Sequence, residues 1–495
     1  MTSPVNIVIL AAGLGKRMHS TWPKVLHKLG GRPLIAHVLE RVRKLAPHAI
    51  VVVTGVGAGE VEAEVAAPDV RFARQDPPRG TGDATRRALE VLPDDGVTLV
   101  GLGDVPLVPS ESLKELVATA RRGKLGLLTA RVTDPCGLGR VLRSGDERVR
   151  AIVEDRDATA EERAVNEINT GFMAAPTRLL VQWVTRLQPH NAQAEYYLTD
   201  IVAMAIADRV EVVAHVAPDE CEVLGVNDRA QLAALERIVQ AGRARALMES
   251  GTTLADPARI EIRGMLSCGR DVEIDVGCVF QGAVRLGDGV TVGPYCVLKD
   301  VTVGNGSAIG PYSHLDGATV GANARVGPYA RLRPGTALAD DVHVGNFVEI
   351  KASTLGPGSK ANHLAYIGDA SVGARVNYGA GSITANYDGV NKHRTVIGDD
   401  VQIGSNSLLV APVEVGAGAT IGGGSTIAAD APGGELTVAR ARQVTVAGWR
   451  RPKKGEKKPV AAQDRRASRD APRAVGASDG PGPAKRQHRK SKGTR

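Results

Sequence analysis

Apolar residues recur at every sixth position through much of the C-terminal half of the chain. The longest unbroken series are Val320, Val326, Leu332, Leu338, Val344 and Ile350, and then Ile397, Ile403, Leu409, Val415, Ile421 and Ile427. Elsewhere between residues 272 and 427 the phase slips by one residue while the period survives, as in Val303, Ile309 and Leu315. A period of six fits neither an α-helix nor a two-sided strand, but it fits short strands joined by tight turns. The pattern therefore predicts a parallel β-helix whose phase slips mark corners or irregular coils.

Glycine follows the apolar residue in many of these six-residue units. Examples are Val320-Gly321, Val326-Gly327, Val344-Gly345, Ile367-Gly368 and Ile403-Gly404. Because glycine tolerates a positive φ, we expect these positions to be turns in the left-handed region. A disordered glycine-rich segment would not keep its apolar residues in register.

The N-terminal part of the chain alternates between short apolar runs and amphipathic segments. Strands are predicted at residues 6–10, 50–54, 97–102 and 125–132, and helices at residues 34–45, 81–92 and 110–122. This alternation predicts an α/β domain with a mostly parallel sheet. A further helix is predicted to start at Asn227-Asp228, which are good N-caps, and to run to about Ser250. Its apolar stripe consists of Leu232, Leu235, Ile238, Val239, Ala246 and Leu247.

The first predicted strand runs directly into a glycine-containing loop with two cations, residues 11–18 (AAGLGKRM). Small residues allow backbone N–H groups to approach an anion, and the lysine and arginine would neutralise it, so the loop indicates phosphate binding. Met18 occupies the place of the third glycine of a dinucleotide-binding fingerprint, which disfavours a plain Rossmann site. Gly103-Asp104 ends another predicted strand, where an acidic residue is a candidate metal ligand.

Length and charge indicate two domains and a basic tail. A chain of 495 residues exceeds the size at which one core keeps growing. Residues 450–495 contain sixteen Lys or Arg and four Asp or Glu, a net charge of +12, whereas the whole chain carries +8. The remainder therefore carries about −4, so the high pI does not indicate nucleic-acid binding by the folded part. We expect the tail to be disordered, with at most weak nucleic-acid contacts.

Neither a membrane segment nor a disulfide framework is expected. No apolar run reaches the ~20 residues of a membrane span, and residues 5–12 are too short and wrongly flanked for a secretory signal. The expected location is the cytoplasm. An odd number of cysteines without C-x-x-C spacing favours reduced, packed thiols over disulfides or zinc, with a catalytic cysteine as the minor alternative. The cysteines are Cys136, Cys221, Cys268, Cys278 and Cys296.

Several short motifs together resemble the sugar-nucleotide pyrophosphorylase fold. They are residues 10–18 (LAAGLGKRM), 23–26 (PKVL), Gln75 with 80–82 (GTG), 103–107 (GDVPL), 167–171 (EINTG) and 225–227 (GVN). With the six-residue array, the chain from about Val5 to Trp449 resembles the bifunctional N-acetylglucosamine-1-phosphate uridylyltransferase and glucosamine-1-phosphate N-acetyltransferase family. The resemblance implies a Rossmann-like α/β nucleotidyltransferase with a mostly parallel sheet, followed by a left-handed parallel β-helix of hexapeptide repeats. The handedness comes from the resemblance alone.

The corresponding domain boundaries are a uridylyltransferase domain at residues 1–226, a helical linker at 227–252, an N-acetyltransferase domain at 253–449 and the tail at 450–495. In the first domain, the resemblance assigns contacts with UTP or the sugar nucleotide to Leu10, Ala11, Ala12, Gly13, Lys24, Gln75, Gly80, Thr81, Gly103, Gly139, Glu154, Asn169 and Asn227. Arg17 and Lys24 would act in catalysis on the phosphates. Asp104 and Asn227 would bind Mg²⁺, which prefers hard oxygen ligands.

Two residues of the first domain depart from the family pattern. Leu102 stands where an aromatic residue precedes Gly-Asp, and Leu138 stands where the family has Tyr in Gly-Tyr-Gly-Arg. Each change removes a hydroxyl group or a stacking face near the nucleotide or the sugar.

The second site is predicted where the array is interrupted, at residues 385–396. An insertion in a solenoid projects outward, commonly at a binding face. Residues 358–366 (GSKANHLAY) resemble the family's acetyltransferase motif, which makes His363 the general base. The resemblance assigns glucosamine-1-phosphate to Arg333, Lys351, Tyr366, Asn377, Asn386, Tyr387 and Lys392, and acetyl-CoA to Ala380, Ser405, Gly423 and Arg440. Gly423 replaces an alanine.

Two functions are compatible with these motifs. In the first, the C-terminal site acetylates glucosamine-1-phosphate and the N-terminal site uridylylates the product to UDP-N-acetylglucosamine, a precursor for peptidoglycan and hence for the cell wall and cell shape. In the second, the array is only a trimerising or regulatory scaffold for a single sugar-1-phosphate nucleotidyltransferase. His363 and the insertion favour the first. The family resemblance also implies a homotrimer.

Overall fold

The computed structural model of the protein describes residues 3–13, 15–451 and 453–454. These fall into two compact units, residues 1–440 and 441–495. The described residues of the second unit form turns and coil, and Val444, Val446 and Trp449 are exposed. The predicted disorder of the tail concerns residues that lie almost entirely outside the described part. The domain boundaries at 226, 252 and 449 stay predictions.

The N-terminal domain is a nine-stranded sheet flanked by helices. Its strands are β1 Val5–Leu10, β2 Lys28–Leu29, β3 Arg32–Pro33, β4 Ala49–Thr54, β5 Val70–Arg74, β6 Val97–Leu102, β7 Leu125–Arg131, β8 Arg140–Arg143, β9 Val149–Val153, β10 Glu167–Pro176 and β11 Val212–Val216, with β2 and β3 as a separate hairpin. The helices are α1 Leu34–Arg43, α2 Ala58–Val65, α3 Thr81–Leu89, α4 Ser110–Arg121, α5 Ala160–Arg163, α6 Thr177–Arg186, α7 Ile201–Ala207 and α8 Arg229–Glu249. Single 3₁₀ turns span Lys16–Met18, Lys24–Leu26, Leu198–Asp200, Glu220–Val223 and Pro257–Arg259.

The sheet has the order β11-β7-β10-β6-β1-β4-β5, with β8 beside β10 and β9 beside β8. β1, β4, β5 and β6 pair in parallel, as β11 does with β7, whereas β10 runs antiparallel to β6 and β7. The mostly parallel sheet is therefore confirmed. Ile7 and Ile9 pack on one face and Val8 on the other, which explains why β1 is apolar throughout.

The predicted linker helix is α8. Asp228 caps it, since its side chain accepts a hydrogen bond from the backbone N–H of Gln231 at 2.8 Å. The buried Gln240 side chain accepts from the N–H of Ile262 at 2.8 Å and donates to its carbonyl at 3.0 Å, which ties α8 to the array. The predicted stripe is wrong at Ala246, which is exposed, because adjacent helical residues point about 100° apart and Leu247 is the buried one.

The array consists of short strands stacked in parallel. They are β12 Thr253–Leu254, β13 Glu261–Cys268, β14 Glu273–Ile274, β15 Val279–Leu286, β16 Thr291–Val292, β17 Val297–Lys299, β18 Thr302–Val303, β19 Ala308–Ile309, β20 His314–Asp316, β21 Ala318–Val320, β22 Arg325–Val326, β23 Arg331–Leu332, β24 Thr336–Leu338, β25 His343–Asn346, β26 Glu349–Lys351, β27 Thr354–Leu355, β28 Lys360–His363, β29 Tyr366–Gly368, β30 Ala370–Val372, β31 Asn377–Tyr378, β32 Ile383–Ala385, β33 Thr395–Ile397, β34 Gln402–Ile403, β35 Leu408–Val410, β36 Val413–Val415, β37 Thr420–Ile421, β38 Thr426–Ile427 and β39 Leu436–Thr437. They form an 11-stranded and a 17-stranded sheet around one apolar core. The predicted β-helix is confirmed.

The register of the stacked coils explains the phase slips. Val320 pairs with Leu338, three repeat units further along the chain, whereas Leu338 pairs with Leu355, which falls one position short of three units. A full coil therefore consists of three units, and each slip is a coil that has lost one residue at a corner. Val372 pairs with Ile397 across the insertion, so the insertion loops out without breaking the column.

The predicted reason for the glycines is wrong at most positions. Of the five examples, only Gly327 has a positive φ, at 99°. A Cβ on Gly345 would lie 1.9 Å from the carbonyl oxygen of Asn362, and one on Gly321 would lie 2.5 Å from the carbonyl carbon of Ala339. Close approach of one coil to the next, rather than a left-handed turn, therefore requires these glycines.

Non-glycine residues take the left-handed conformation at several corners of the array. Tyr295, Tyr312, Tyr329 and Phe347 have φ values of 55–58° and stack ring on ring, with centroids 5.3, 5.0 and 5.3 Å apart. All four rings are exposed, and we call them the aromatic ladder. Leu364 continues the ladder on the next coil. The ladder is an exposed apolar ridge along one corner.

All five cysteines are free, in agreement with the prediction of reduced thiols. Cys278 and Cys296 are buried in the array, and this burial raises the pKa of their thiols to about 11 and about 12. The prediction of packed thiols is wrong for Cys136, which is exposed on a loop. Among the helices that the structure describes, none combines the length and the apolar character needed to cross a membrane.

Two candidate active sites

The first candidate site is a cavity of about 410 Å³ at the carboxyl ends of the parallel strands. Leu10 and Leu102 are register partners at the ends of β1 and β6, so the loops that follow these strands meet there. Of the predicted residues, the cavity is lined by Leu10, Arg17, Thr81, Asp104, Gly139, Glu154, Asn169 and Asn227. The sequence motifs, far apart along the chain, thus converge on one space.

The other predicted residues of this site lie around the cavity. The buried Gln75 donates through its amide to the carbonyl of Gly80 and to Asp83, both at 2.9 Å. Gly103 donates its N–H to the carbonyl of Leu10 at 3.0 Å, which joins the two loops. Ala11 and Ala12 are buried after β1, and Gly13 is exposed, with open space where a Cβ would stand. The hydrogen bond from the Gln75 amide to the Gly80 carbonyl therefore fixes these two predicted residues relative to each other.

Lys24 lies between the two predicted metal ligands. Its ammonium group forms a short ion pair with Asp104 and lies 3.2 Å from the amide oxygen of Asn227. The N–H of Val226 donates to the carbonyl of Asp104 at 3.0 Å, which fixes the loop that carries Asn227. Two oxygen ligands that already hold a cationic group suit Mg²⁺, which completes its octahedron with phosphate and water. The described residues contain no cluster of three or more His, Cys, Asp or Glu side chains arranged for a metal.

Glu154 and Asn169 form the predicted sugar side of the cavity. Burial raises the pKa of the Glu154 carboxyl, which accepts a hydrogen bond from the hydroxyl of Thr199 at 3.0 Å. A Cβ on Gly139 would lie 3.2 Å from Glu154, and Gly139 accepts the N–H of Asn169 at 2.8 Å. Thr199 was not predicted from the sequence, because an isolated threonine before a short helix gives no signal of its partner.

The second candidate site lies on the outer surface of the array. Arg333 donates to Glu349 at 2.9 Å, and Lys351 lies 3.7 Å from Asp369. Asp369 also accepts a hydrogen bond from the amide of Asn386, which anchors the insertion. The ammonium group of Lys351 lowers the pKa of Lys392. Arg333, Lys351, Asn386 and Lys392 therefore lie together with Tyr366, which pairs with Glu349 in the larger sheet.

His363 is the last residue of β28, on the smaller sheet and just before a corner. Its side chain is exposed, and Nδ1 lies 2.8 Å from the amide oxygen of Asn346. Asn377 is on the same sheet, where it pairs with Lys360. An open groove next to His363 is lined by Gly327, Pro328, Tyr329, His343, Gly345, Asn346, Phe347 and Asn362. Within one chain, His363 and Asn377 thus belong to the smaller sheet, whereas Lys351 and Tyr366 belong to the larger sheet, around one corner.

The four predicted acetyl-CoA residues form one column on successive coils. Asn406 donates its N–H to the carbonyl of Ala380 at 2.8 Å, and Gly424 donates to the carbonyl of Ser405 at 2.8 Å. The guanidinium group of Arg440 donates to the carbonyl of Gly423 at 2.6 Å. A Cβ on Gly423 would lie 3.3 Å from Ser405, so the alanine of the family fits with a small shift.

The insertion folds as a short hairpin that projects from the array. Tyr387 and Lys392 form an antiparallel bridge, and Tyr387 is exposed. Asp388 accepts hydrogen bonds from His393 and from the N–H groups of Asn391 and Val390, and these bonds hold the pKa of its carboxyl well below the usual range. The insertion is therefore internally braced.

Comparisons with known proteins agree with this two-part organisation. Residues 7–254 match the family model described as a MobA-like NTP transferase domain, residues 262–362 the GMPPB C-terminal domain, and residues 394–429 the bacterial transferase hexapeptide model with six repeats. The chain is 58% identical over 458 residues to the bifunctional protein GlmU of Methylibium petroleiphilum, which covers 91% of this chain and 99% of that protein. The bifunctional protein GlmU of Ralstonia nicotianae is 55% identical over 453 residues, 92% of this chain and 100% of the relative.

The chain belongs to the bifunctional GlmU family. Its architecture combines a nucleotidyltransferase domain with a hexapeptide acyltransferase domain, and the expectation of a two-site enzyme for uridylyl transfer and acetyl transfer is confirmed at this level. The GlmU relatives are named bifunctional, which disfavours the alternative of a β-helix that serves only as a scaffold.

Proposed function

We propose that the N-terminal cavity transfers the uridylyl group of UTP to N-acetylglucosamine-1-phosphate, and that the array acetylates glucosamine-1-phosphate with acetyl-CoA. The convergence of Arg17, Thr81, Asp104, Glu154 and Asn227 in one cavity is the observation that carries the first assignment. The cationic group around Lys351 and the exposed imidazole of His363 support the second.

In the proposed uridylyl transfer, a phosphate oxygen of the sugar phosphate attacks the α-phosphorus of UTP, and the bond to pyrophosphate breaks. Arg17 and Lys24 neutralise charge on the phosphates, and Glu154 with Asn169 orients the sugar, since such a reaction needs positioning and electrostatic stabilisation rather than a covalent intermediate. Gln75, Gly80 and Thr81 hold the uracil. Asp104 and Asn227 would hold Mg²⁺, which supplies Lewis acidity toward phosphate oxygens when bound.

In the proposed acetyl transfer, the amine of glucosamine-1-phosphate attacks the thioester carbonyl of acetyl-CoA. Imidazole can take the proton of the amine near neutral pH, and the carbon–sulfur bond then breaks to release coenzyme A. Arg333, Lys351 and Lys392 bind the phosphate, while Tyr366, Asn377, Asn386 and Tyr387 contact the sugar. The column at Ala380, Ser405, Gly423 and Arg440 takes acetyl-CoA.

The proposal includes a homotrimer. Within one chain the groups of the proposed acetyl-transfer site are divided between two sheets, and the groove beside His363 is open, which supports a site completed by a neighbouring subunit. The aromatic ladder beside His363 offers an apolar ridge for such a contact, because exposed apolar patches mark association surfaces. UTP and acetyl-CoA are intracellular metabolites, so a cytoplasmic role in peptidoglycan precursor synthesis is part of the proposal.

The experiment that tests both assignments is a pair of release assays on the purified full chain. Coenzyme A should appear from acetyl-CoA with glucosamine-1-phosphate, and pyrophosphate from UTP with N-acetylglucosamine-1-phosphate and Mg²⁺. Pyrophosphate release without coenzyme A release from a folded trimer would reject the proposed acetyltransferase activity. It would favour the alternative in which the array is only a scaffold.

A further inference from the structure

The ring of His363 is held by one side chain from the coil below it. Asn346 and His363 are register partners on β25 and β28, and the N–H of Leu364 donates to the carbonyl of Asn346 at 3.0 Å. Their side chains therefore stack on the same outer corner, one coil apart. The amide oxygen of Asn346 lies 2.8 Å from Nδ1 of His363, and within the described chain Nε2 has no hydrogen-bond partner.

We propose that Asn346 is a positioning residue for acetyl transfer, which accepts the Nδ1–H of His363 and so leaves the Nε2 lone pair for the substrate amine. The inference rests on the proposed role of His363 as the base. A neutral imidazole has one N–H and one lone pair, and the hydrogen bond at one nitrogen decides which tautomer is present. Asn346 also fixes the plane of an otherwise exposed ring.

Asn346 is uncharged, which matters for the protonation of the ring that it holds. His343 on β25 interacts electrostatically with His363, and Lys360 and Arg325 are the register partners of His343 on either side. None of the ion pairs between described residues includes His363. Burial, Arg325, Lys360 and His363 lower the pKa of His343. An amide orients the ring without adding charge, whereas a carboxylate would favour the imidazolium, which cannot accept a proton.

The test compares Asn346→Ala and Asn346→Asp with the unchanged protein, with acetyl transfer measured against pH in the intact trimer. We expect Asn346→Ala to lower kcat by about 10- to 100-fold with KM for both substrates within about twofold, less than loss of the base itself at roughly 10²- to 10⁴-fold. Asn346→Asp still accepts the Nδ1–H, so kcat should recover at high pH while the acid limb of the profile moves up by about one pH unit.

Three results would overturn the proposal. The first is an Asn346→Ala variant with unchanged kcat, and the second is an Asn346→Asp profile without a shifted acid limb. The third is an Asn346→Asp variant that is inactive at every pH, which would mean that Asn346 donates through its amide nitrogen. Because Asn346→Asp preserves side-chain shape, it remains informative even if Asn346→Ala misfolds. Asn305→Ala, which removes an exposed amide elsewhere in the array, is the control expected to leave the profile unchanged.

His363→Ala, assayed in parallel, separates this inference from the proposed function. If His363→Ala keeps full acetyl transfer, the base assignment itself fails. If His363→Ala is inactive while Asn346→Ala is normal, only the positioning role fails.

Discussion

The two candidate sites differ in how far a single chain completes them. The N-terminal site is a cavity lined by loops from several strand ends of one sheet. The residues proposed for acetyl transfer lie instead on the outside of a solenoid, divided between two sheets. Loops at the edge of a sheet can surround a ligand, whereas a stack of coils presents only flat faces and corners. The first site should therefore work in any subunit, and the second should depend on a neighbour.

The largest expected effect is that of Asp104→Asn. Loss of the carboxylate that is paired with Lys24 and proposed to bind Mg²⁺ should lower uridylyl transfer by roughly a thousandfold or more, because the metal supplies several kcal/mol to the transition state. Acetyl transfer should persist. Pyrophosphate and coenzyme A release are measured side by side, with Asp94→Asn, an exposed loop position, as the control. Equal loss of both activities in a folded protein would reject the assignment.

His363→Ala should have the opposite selectivity. Removal of the proposed base should lower acetyl-transfer turnover by about 10²- to 10⁴-fold at saturating substrates, while uridylyl transfer stays near normal. A melting curve accompanies the assay, because a merely structural histidine would act through stability. His314→Ala removes another exposed histidine from the array and is the matched control. Near-normal turnover in a well-folded trimer would end the assignment.

Charges placed in the aromatic ladder should lower acetyl transfer but not uridylyl transfer, because only the second candidate site is expected to depend on subunit association. In the double variant Tyr312→Asp with Tyr329→Asp, two carboxylates on one apolar ridge should oppose subunit association, so acetyl transfer should fall about tenfold or more at nanomolar concentration. Uridylyl transfer should remain within about twofold. Sedimentation and both release assays give the answer. An unchanged trimer would remove the ladder from the interface, and an active monomer would remove the need for a neighbour.

The smallest effect is expected from deletion of residues 456–495. This segment is rich in charge, Pro, Gly, Ala and Ser and lies outside all proposed contacts, so both activities should stay within about twofold. The truncated and full chains are compared in both assays at low and high salt. Loss of both activities would contradict the prediction, and a tail-dependent, salt-sensitive shift with RNA or anionic lipid would indicate a partner for the tail.

The first site was more predictable than the second. The strand-end position predicted Asp104 as a candidate metal ligand, since parallel strands bring their carboxyl ends to one edge. The family resemblance assigned Leu10 and Asn227, and all three residues line one cavity. Nothing along the chain indicated that Lys24 lies between Asp104 and Asn227, because that contact joins three separate loops. Thr199 was missed for the same reason.

In the array, periodicity predicts which residues point inward but leaves the exact coil lengths open. The register that places Asn346 below His363 becomes visible only once the strands are paired, because a coil can lose a residue at any corner. The glycines show a similar limit. Their spacing was clear from the sequence, yet at Gly345 the cause is the carbonyl of the next coil and not a left-handed turn.

By itself the sequence determined the period-six β-helix and the α/β alternation, because these depend on local patterns of apolar and polar residues. Its short motifs carried the family resemblance that implies the candidate chemistry. Only the tertiary structure decided which groups meet. It placed the ammonium of Lys24 against Asp104, brought the residues of one site together in a cavity and distributed those of the other over two sheets. The physical reason is that contacts between distant loops and stacked coils depend on register and burial, which a local pattern constrains but does not specify.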